Sequence, residues 1–134
     1  AERIAERLTL RATLLLHEGD DHGATGAVRA ALKVNPDCVP VASAALRVVR
    51  ALRASERTTH GFRLAELATD LATRRGLARA EVELRLEWLG MLADHGYVTE
   101  AQTVAAGLDE AVPRLASQDL LDPVRAARHR VGLR

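Results

Sequence analysis

Residues 19–36 read GDDHGATGAVRAALKVNP, and residues 96–113 read GYVTEAQTVAAGLDEAVP. Both obey one spacing, Gly-x4-Ala-x11-Pro: Gly19, Ala24 and Pro36 in the first stretch, Gly96, Ala101 and Pro113 in the second, 77 residues further on. The register extends upstream, where Ala12 and Leu15 align with Leu89 and Leu92. Each position has a physical reason. Glycine takes the backbone conformation that ends one helix tightly enough for the next to fold back. A small alanine on the second helix lets two backbones approach closely, and proline stops that helix. Such a pair cannot bury both its faces alone, so neighbouring units must stack.

Working outward, apolar residues recur at helical spacing through most of the chain. Ile4, Leu8, Ala12 and Leu15 mark the first stripe, and Ala24, Val28, Ala31 and Leu32 the second. Ala42, Ala45, Leu46 and Val49 follow, then Ala65, Ala68, Leu71 and Ala72. Leu84, Trp88, Met91 and Leu92 form a fifth stripe, Ala101, Val104, Ala105 and Leu108 a sixth, and Val124, Ala127 and Val131 a seventh. Punctuation falls between them, at Gly19-Asp20-Asp21, Asn35-Pro36-Asp37, the polar run Ser55 to Gly61, Gly76 and Asp94-His95-Gly96. Gly61 and Ala65 stand near the places where a middle unit needs its turn and its small residue. Thr99 with Gln102 reads as a capping box for the sixth helix. Asp122-Pro123 reads as the N-cap and first-turn proline of the last.

Leu8 to Gly19 runs as a first helix into an inter-helix glycine, with Ala24, Ala31 and Pro36 as two small packing residues and a closing proline. At these residues the chain resembles the tetratricopeptide-repeat family, over 5–38 and 82–115, with a looser middle unit at 39–77. The resemblance implies an all-α fold, an αα-superhelix (tetratricopeptide-like solenoid) of about three helix pairs plus a terminal helix at 122–132. Residues 1–134 then form a single helical-repeat domain. Leu8 and Arg85 replace the large aromatics usual on the first helix, and the repeat spacing is uneven. Both features are similar to the divergent repeats of large bacterial transcriptional regulators of the maltose-regulator-like and signal-transducing ATPase type. The chain starts at Ala1 and stops inside a helical pattern, so it reads as a piece of a longer protein.

Composition agrees with a helical class. Hydrophobic residues make up 48% and charged residues 28%, while aromatics contribute only 2%. Ala, Leu, Arg and Glu dominate, and all four are strong helix formers. With 19 basic and 18 acidic residues the net charge is +1, which leaves little general pull towards nucleic acid or anionic membrane. Lys33 is the only lysine; the arginine and alanine bias reads as a GC-rich bacterial genome. The lone Cys38 excludes an intrachain disulfide and points to a reducing cytoplasm. No apolar run is long enough for a membrane span.

Catalysis and metal binding find no support in the residues. None of His17, His22, His60, His95 and His129 pairs with another at the i, i+4 spacing of a helical metal site. Glu18, Asp20 and Asp21 lack the alternating oxygens and terminal Glu of a calcium loop, and read as a turn. The glycines are isolated, so no phosphate loop forms. Trp88 and Met91 read as core packing, with a ligand pocket as the alternative. Arg125, Arg128, Arg130 and Arg134 read as a solvated helix face. No enzyme activity, cofactor or metal is expected.

The resemblance implies instead a concave groove lined by first helices. The alignment offers Thr9, Thr13 and His17 from the first unit, Ser43, Arg47 and Arg50 from the second, and Leu86, Gly90 and Asp94 from the third. Arg47 and Arg50, one turn apart, are placed to grip a carboxylate. The Lys, Asn and Arg set with which chaperone-binding members hold a peptide's terminal carboxylate is absent, since Thr9 and Thr13 stand at its first positions. The expected function is a protein- or peptide-interaction scaffold, or an oligomerisation module that self-associates through its end repeats, within a bacterial regulatory protein. The alternative is an inducer-sensing domain that holds a small molecule near Trp88 and Arg47. Direct DNA binding by residues 84–110 is disfavoured by their acidic, alanine-rich character.

Overall fold

Four glycines each end a helix, those that stop at residues 17, 74, 94 and 130. Gly19, Gly76, Gly96 and Gly132 have φ of 79°, 69°, 78° and 81°, in the left-handed region that costs glycine nothing. Each glycine N–H donates to the carbonyl three residues back, at Leu16, Thr73, Ala93 and His129. The next residue reaches five back: Asp20 to Leu15, Leu77 to Ala72, Tyr97 to Leu92 and Leu133 to Arg128. This double closure satisfies carbonyls that a helix end would otherwise orphan.

The computed structural model describes residues 2–34, 39–54 and 58–133. Among them are seven α-helices and no strand: α1 (Glu2–His17), α2 (Asp21–Val34), α3 (Val39–Ala54), α4 (Thr58–Arg74), α5 (Ala78–Asp94), α6 (Val98–Ala111) and α7 (Leu121–Arg130). A 3-10 turn, Val112–Arg114, carries Pro113 directly after α6. The expected stop at Asn35-Pro36-Asp37, Cys38 and the start of the Ser55–Gly61 interruption lie outside the described residues.

Consecutive helices pack together, and so do the first helices of successive pairs: α1 on α3, α3 on α5, α5 on α7. α5 lies between two apolar clusters. Leu84 and Met91 face the one built from α1 to α4, while Val82, Leu89 and Leu92 face the one shared with α6 and α7. Phe62 and Trp88 touch both. The small residues of the second helices are fully buried at Ala24, Ala31, Ala65, Ala101 and Ala105, as close backbone approach requires. No helix among the described residues is long and apolar enough to cross a membrane.

Four local expectations are corrected. The buried stripe of α1 is Ala5, Thr9 and Ala12, not a stripe headed by Ile4, which is 52% exposed. Small residues let α1 approach its neighbours and rotate Ile4 outward. Gly61 sits inside α4 rather than in a turn, where a Cβ would come within 2.9 Å of Met91 Sδ. Thr99 does not cap α6: the Gly96 turn runs straight into the helix with Tyr97 at the cap, and Gln102 Nε2 donates to the Val131 carbonyl (2.9 Å). Asp122 lies within the first turn of α7, after Leu120 at the cap.

Candidate partner-binding surfaces

α3 turns Arg50 and Arg53, one helical turn apart, towards α5, which answers with Glu83 and Glu87 one turn apart and with Asp94 two turns further on. Arg50 Nε lies 3.0 Å from Glu87 Oε1, and its Nη2 3.5 Å from Glu83 Oε2. Arg53 Nη1 meets Glu87 Oε2 and its Nε meets Asp94 Oδ2, both at 3.1 Å. Arg130 of α7 closes on the other Asp94 oxygen. At the opposite end Arg79 binds Glu83 and then Asp119, the latter through two parallel bonds of 2.9 Å. One chain of alternating charges thus runs from Asp119 to Arg130 and joins α3, α5, α7 and the segment before α7.

Its electrostatics follow from those contacts. Burial works against the charge on Arg53, but hydrogen bonds to Glu87 and Asp94 outweigh it and hold the guanidinium above its usual range. Hydrogen bonding from Arg130, then from Arg53, keeps the Asp94 carboxyl below the usual carboxylate range against some desolvation. Asp119 is brought down to about 2, chiefly by Arg79 and then by the Ser117 hydroxyl. The Asp119 bonds in turn raise Arg79.

Beneath this ladder lies a pocket of about 370 Å³ with Leu86, Leu89, Leu120 and Pro123 among its apolar lining. Of the expected groove residues, Arg50, Leu86 and Gly90 line it, and Asp94 holds its Arg53 and Arg130 wall. Ser43 lines a smaller adjoining recess with Arg79 and Glu83. Arg47 is exposed and takes no part in the ladder. The α1 residues do not join this group. Thr9 is buried with its hydroxyl donated to the Ala5 carbonyl (2.9 Å), Thr13 donates to the Thr9 carbonyl (3.1 Å), and His17 is exposed at the end of α1. Of the two arginines expected to grip a partner's carboxylate, Arg47 and Arg50, the second already holds two from its own chain. Sequence reasoning missed Arg53, Arg79, Glu83, Glu87, Asp119 and Arg130. The available signal was the facing of two arginines on one first helix by carboxylates spaced i, i+4 on the next.

Two further surfaces are open. On α1, Ile4 (52%), Leu10 (65%) and Leu14 (62%) are exposed, and they share a shallow face with Leu8, Arg7 and Arg11. Between α2, α4 and α5, a pocket of about 490 Å³ is lined by Arg29, Arg63, Leu67, Thr69, Arg85 and Trp88, with Glu66, Asp70 and Thr73 beside them. Trp88 is therefore half core and half pocket wall, whereas Met91 is wholly core. No group of three or more His, Cys, Asp or Glu suited to a metal ion occurs among the described residues. Comparison with protein-family models, with curated proteins and with solved structures finds no match to this chain.

Proposed function

We propose that this chain is a protein-interaction module of tetratricopeptide-like, superhelical type, and that its docking surface is the outer face of α1. The observation that carries this reading is the face itself: Ile4, Leu10 and Leu14 stand exposed together on a helix whose other side packs on α2 and α3. Exposed apolar side chains gathered with arginines on one helix face mark an interaction site. The repeat spacing supports the reading, because stacked helical repeats build extended binding surfaces.

The charges argue for the occupant. Arg7 and Arg11 lie within the face, between Leu10 and Leu14 on one side and Ile4 on the other, and no carboxylate lines it. Within the chain, the junction between two first helices is made by Arg50 and Arg53 of one against Glu83 and Glu87 of the other. The complement of α1 is therefore an amphipathic helix with an apolar stripe flanked by carboxylates. A second copy meeting face to face sets Arg7 and Arg11 against their own kind. The arginine-rich, alanine-rich composition fits a GC-rich bacterial genome, and the uneven repeat spacing supports placing the module in a regulatory protein.

Selection from a display library of helix-forming peptides tests the reading. Enriched binders carry Leu or Ile at helical spacing with Glu or Asp beside them, and Leu10→Glu abolishes their binding while leaving the helical circular dichroism intact. Binders insensitive to Leu10→Glu overturn the assignment of the face. A doubled mass in light scattering that Leu10→Glu reduces to a monomer identifies a second copy as the occupant instead.

A further inference from the structure

The pocket between α2, α4 and α5 stands apart from the α1 face, and its lining is unlike that of the ladder. There every arginine meets a carboxylate of its own chain. Here Arg29 of α2 and Arg63 of α4 line one pocket, both exposed, and neither makes an ion pair among the described residues. Arg85 also lines it but is held by Glu81 (2.9 Å), and Asp70 by Arg74 (2.9 Å). Glu66 remains as the one lining carboxylate without an ion pair, so the unpaired lining groups sum to one positive charge. Trp88 and Leu67 supply apolar surface. Thr69, only 2% exposed, lines the same pocket, and its hydroxyl has no hydrogen-bond partner. A buried hydroxyl without a partner is costly, which marks this wall as a polar position within an otherwise apolar core.

We propose that this pocket binds a small organic monoanion, with its anionic group on Arg29 and Arg63 and its apolar body against Trp88 and Leu67. The volume of about 490 Å³ suits a molecule of metabolite size. Guanidinium is the group of choice for a carboxylate because its planar fork donates two parallel bonds. The apolar wall sets the class apart from inorganic phosphate or sulfate, which gain nothing from Trp88. The site carries ligand sensing that is independent of partner docking on α1, so either reading survives failure of the other.

Trp88 is the only tryptophan, so the emission comes from a single side chain that forms part of the pocket wall. The probes are octanoate and cyclohexanecarboxylate, a flexible and a rigid monoanion, with octanamide and cyclohexanecarboxamide as their uncharged counterparts. We expect at least one carboxylate to shift Trp88 emission saturably, with its amide about tenfold weaker or more. Arg29→Gln and Arg63→Gln, both at exposed positions, each weaken the carboxylate by about tenfold. Glu66→Gln, which removes the competing charge, tightens it. Folding of each variant is checked by its thermal melt. The proposal is overturned by the absence of a saturable response to both carboxylates, by amides that bind as well as the acids, or by arginine variants that bind like the parent.

Discussion

The guanidinium of Arg53 rests over Gly90: a Cβ built on Gly90 would lie 2.5 Å from Arg53 Nη1. A glycine inside a helix costs about 1 kcal/mol relative to alanine, and here it makes room for the central arginine of the charge ladder. Two effects therefore oppose each other in Gly90→Ala. The helix gains about 1 kcal/mol, while Arg53, which is one-third exposed, shifts and loses ion pairs worth about 1 kcal/mol together. The expected change in urea-unfolding free energy is close to zero. In an Arg53→Ala background the obstacle is gone, and Gly90→Ala stabilises by about 1 kcal/mol. Equal effects in both backgrounds would refute the coupling.

The same device recurs deeper in the fold with the opposite balance. Arg85 lies over Gly107 of α6 and binds Glu81, which is 2% exposed. Arg85 also donates to the Val104 carbonyl (3.2 Å), and only Arg114 approaches the second Glu81 oxygen, at 3.9 Å. Displacing Arg85 leaves a buried carboxylate without its partner. Arg85→Ala is expected to destabilise by about 3 kcal/mol, and Gly107→Ala by about 2 kcal/mol despite its better helix propensity. Replacing both members of the pair, as Glu81→Leu with Arg85→Met, costs less than Arg85→Ala alone. Chemical denaturation of the three variants checks the order.

Acid should release the tether between α5 and the segment before α7. Asp119 has its carboxyl lowered to about 2 in the folded chain, against an ordinary value near 3.8, and Asp94 is lowered as well. A depressed folded value means the stabilisation is present above the ordinary carboxylate range and is lost as pH falls from there towards 2. Asp119 is exposed, so the effect is small and sensitive to salt. The measurement is the urea midpoint of the parent against Asp119→Asn. The parent is slightly more stable at pH 6, the gap narrows as pH falls below 4, and it closes only below pH 2. A gap of the same size at pH 6 and pH 2 would contradict the Arg79–Asp119 link.

The turns were legible because their cause is local. Gly19, Gly76 and Gly96 each follow a helical stripe, and a positive φ at a helix end needs nothing from the rest of the chain. Helix rotation was less legible, because Ile4 and Ala5 fit a periodic stripe equally well and only the closeness of α2 and α3 chooses Ala5. The ladder depends on where distant turns come together. Arg53 and Asp94 are 41 positions apart, and no spacing rule pairs them before α3 is docked on α5. Charge reading along single helices therefore placed Arg50 beside Arg47, when its partners are across the interface on Glu83 and Glu87. The Trp88 pocket was half legible: Trp88 was singled out, but Arg29 and Arg63 come from other helices.

The α1 face offers a separation of docking from folding that few positions allow. Leu10 and Leu14 are 65% and 62% exposed, so replacing them removes little buried surface. Burial contributes about 25 cal/mol per Å², and a side chain already facing water forfeits only a fraction of it. Leu10→Glu with Leu14→Glu is therefore expected to change the unfolding free energy by less than about 0.5 kcal/mol. Both substitutions place carboxylates beside Arg7 and Arg11, which neutralises the basic middle of the face as well as removing its apolar flank. Binding of an acidic amphipathic peptide should fall at least about tenfold, and its salt dependence should weaken with it. In contrast, Ala5→Glu on the fully buried side of the same helix should unfold the α1–α2 contact. Equal destabilisation by the Leu and Ala substitutions would show that Leu10 and Leu14 are structural and remove α1 as the docking face.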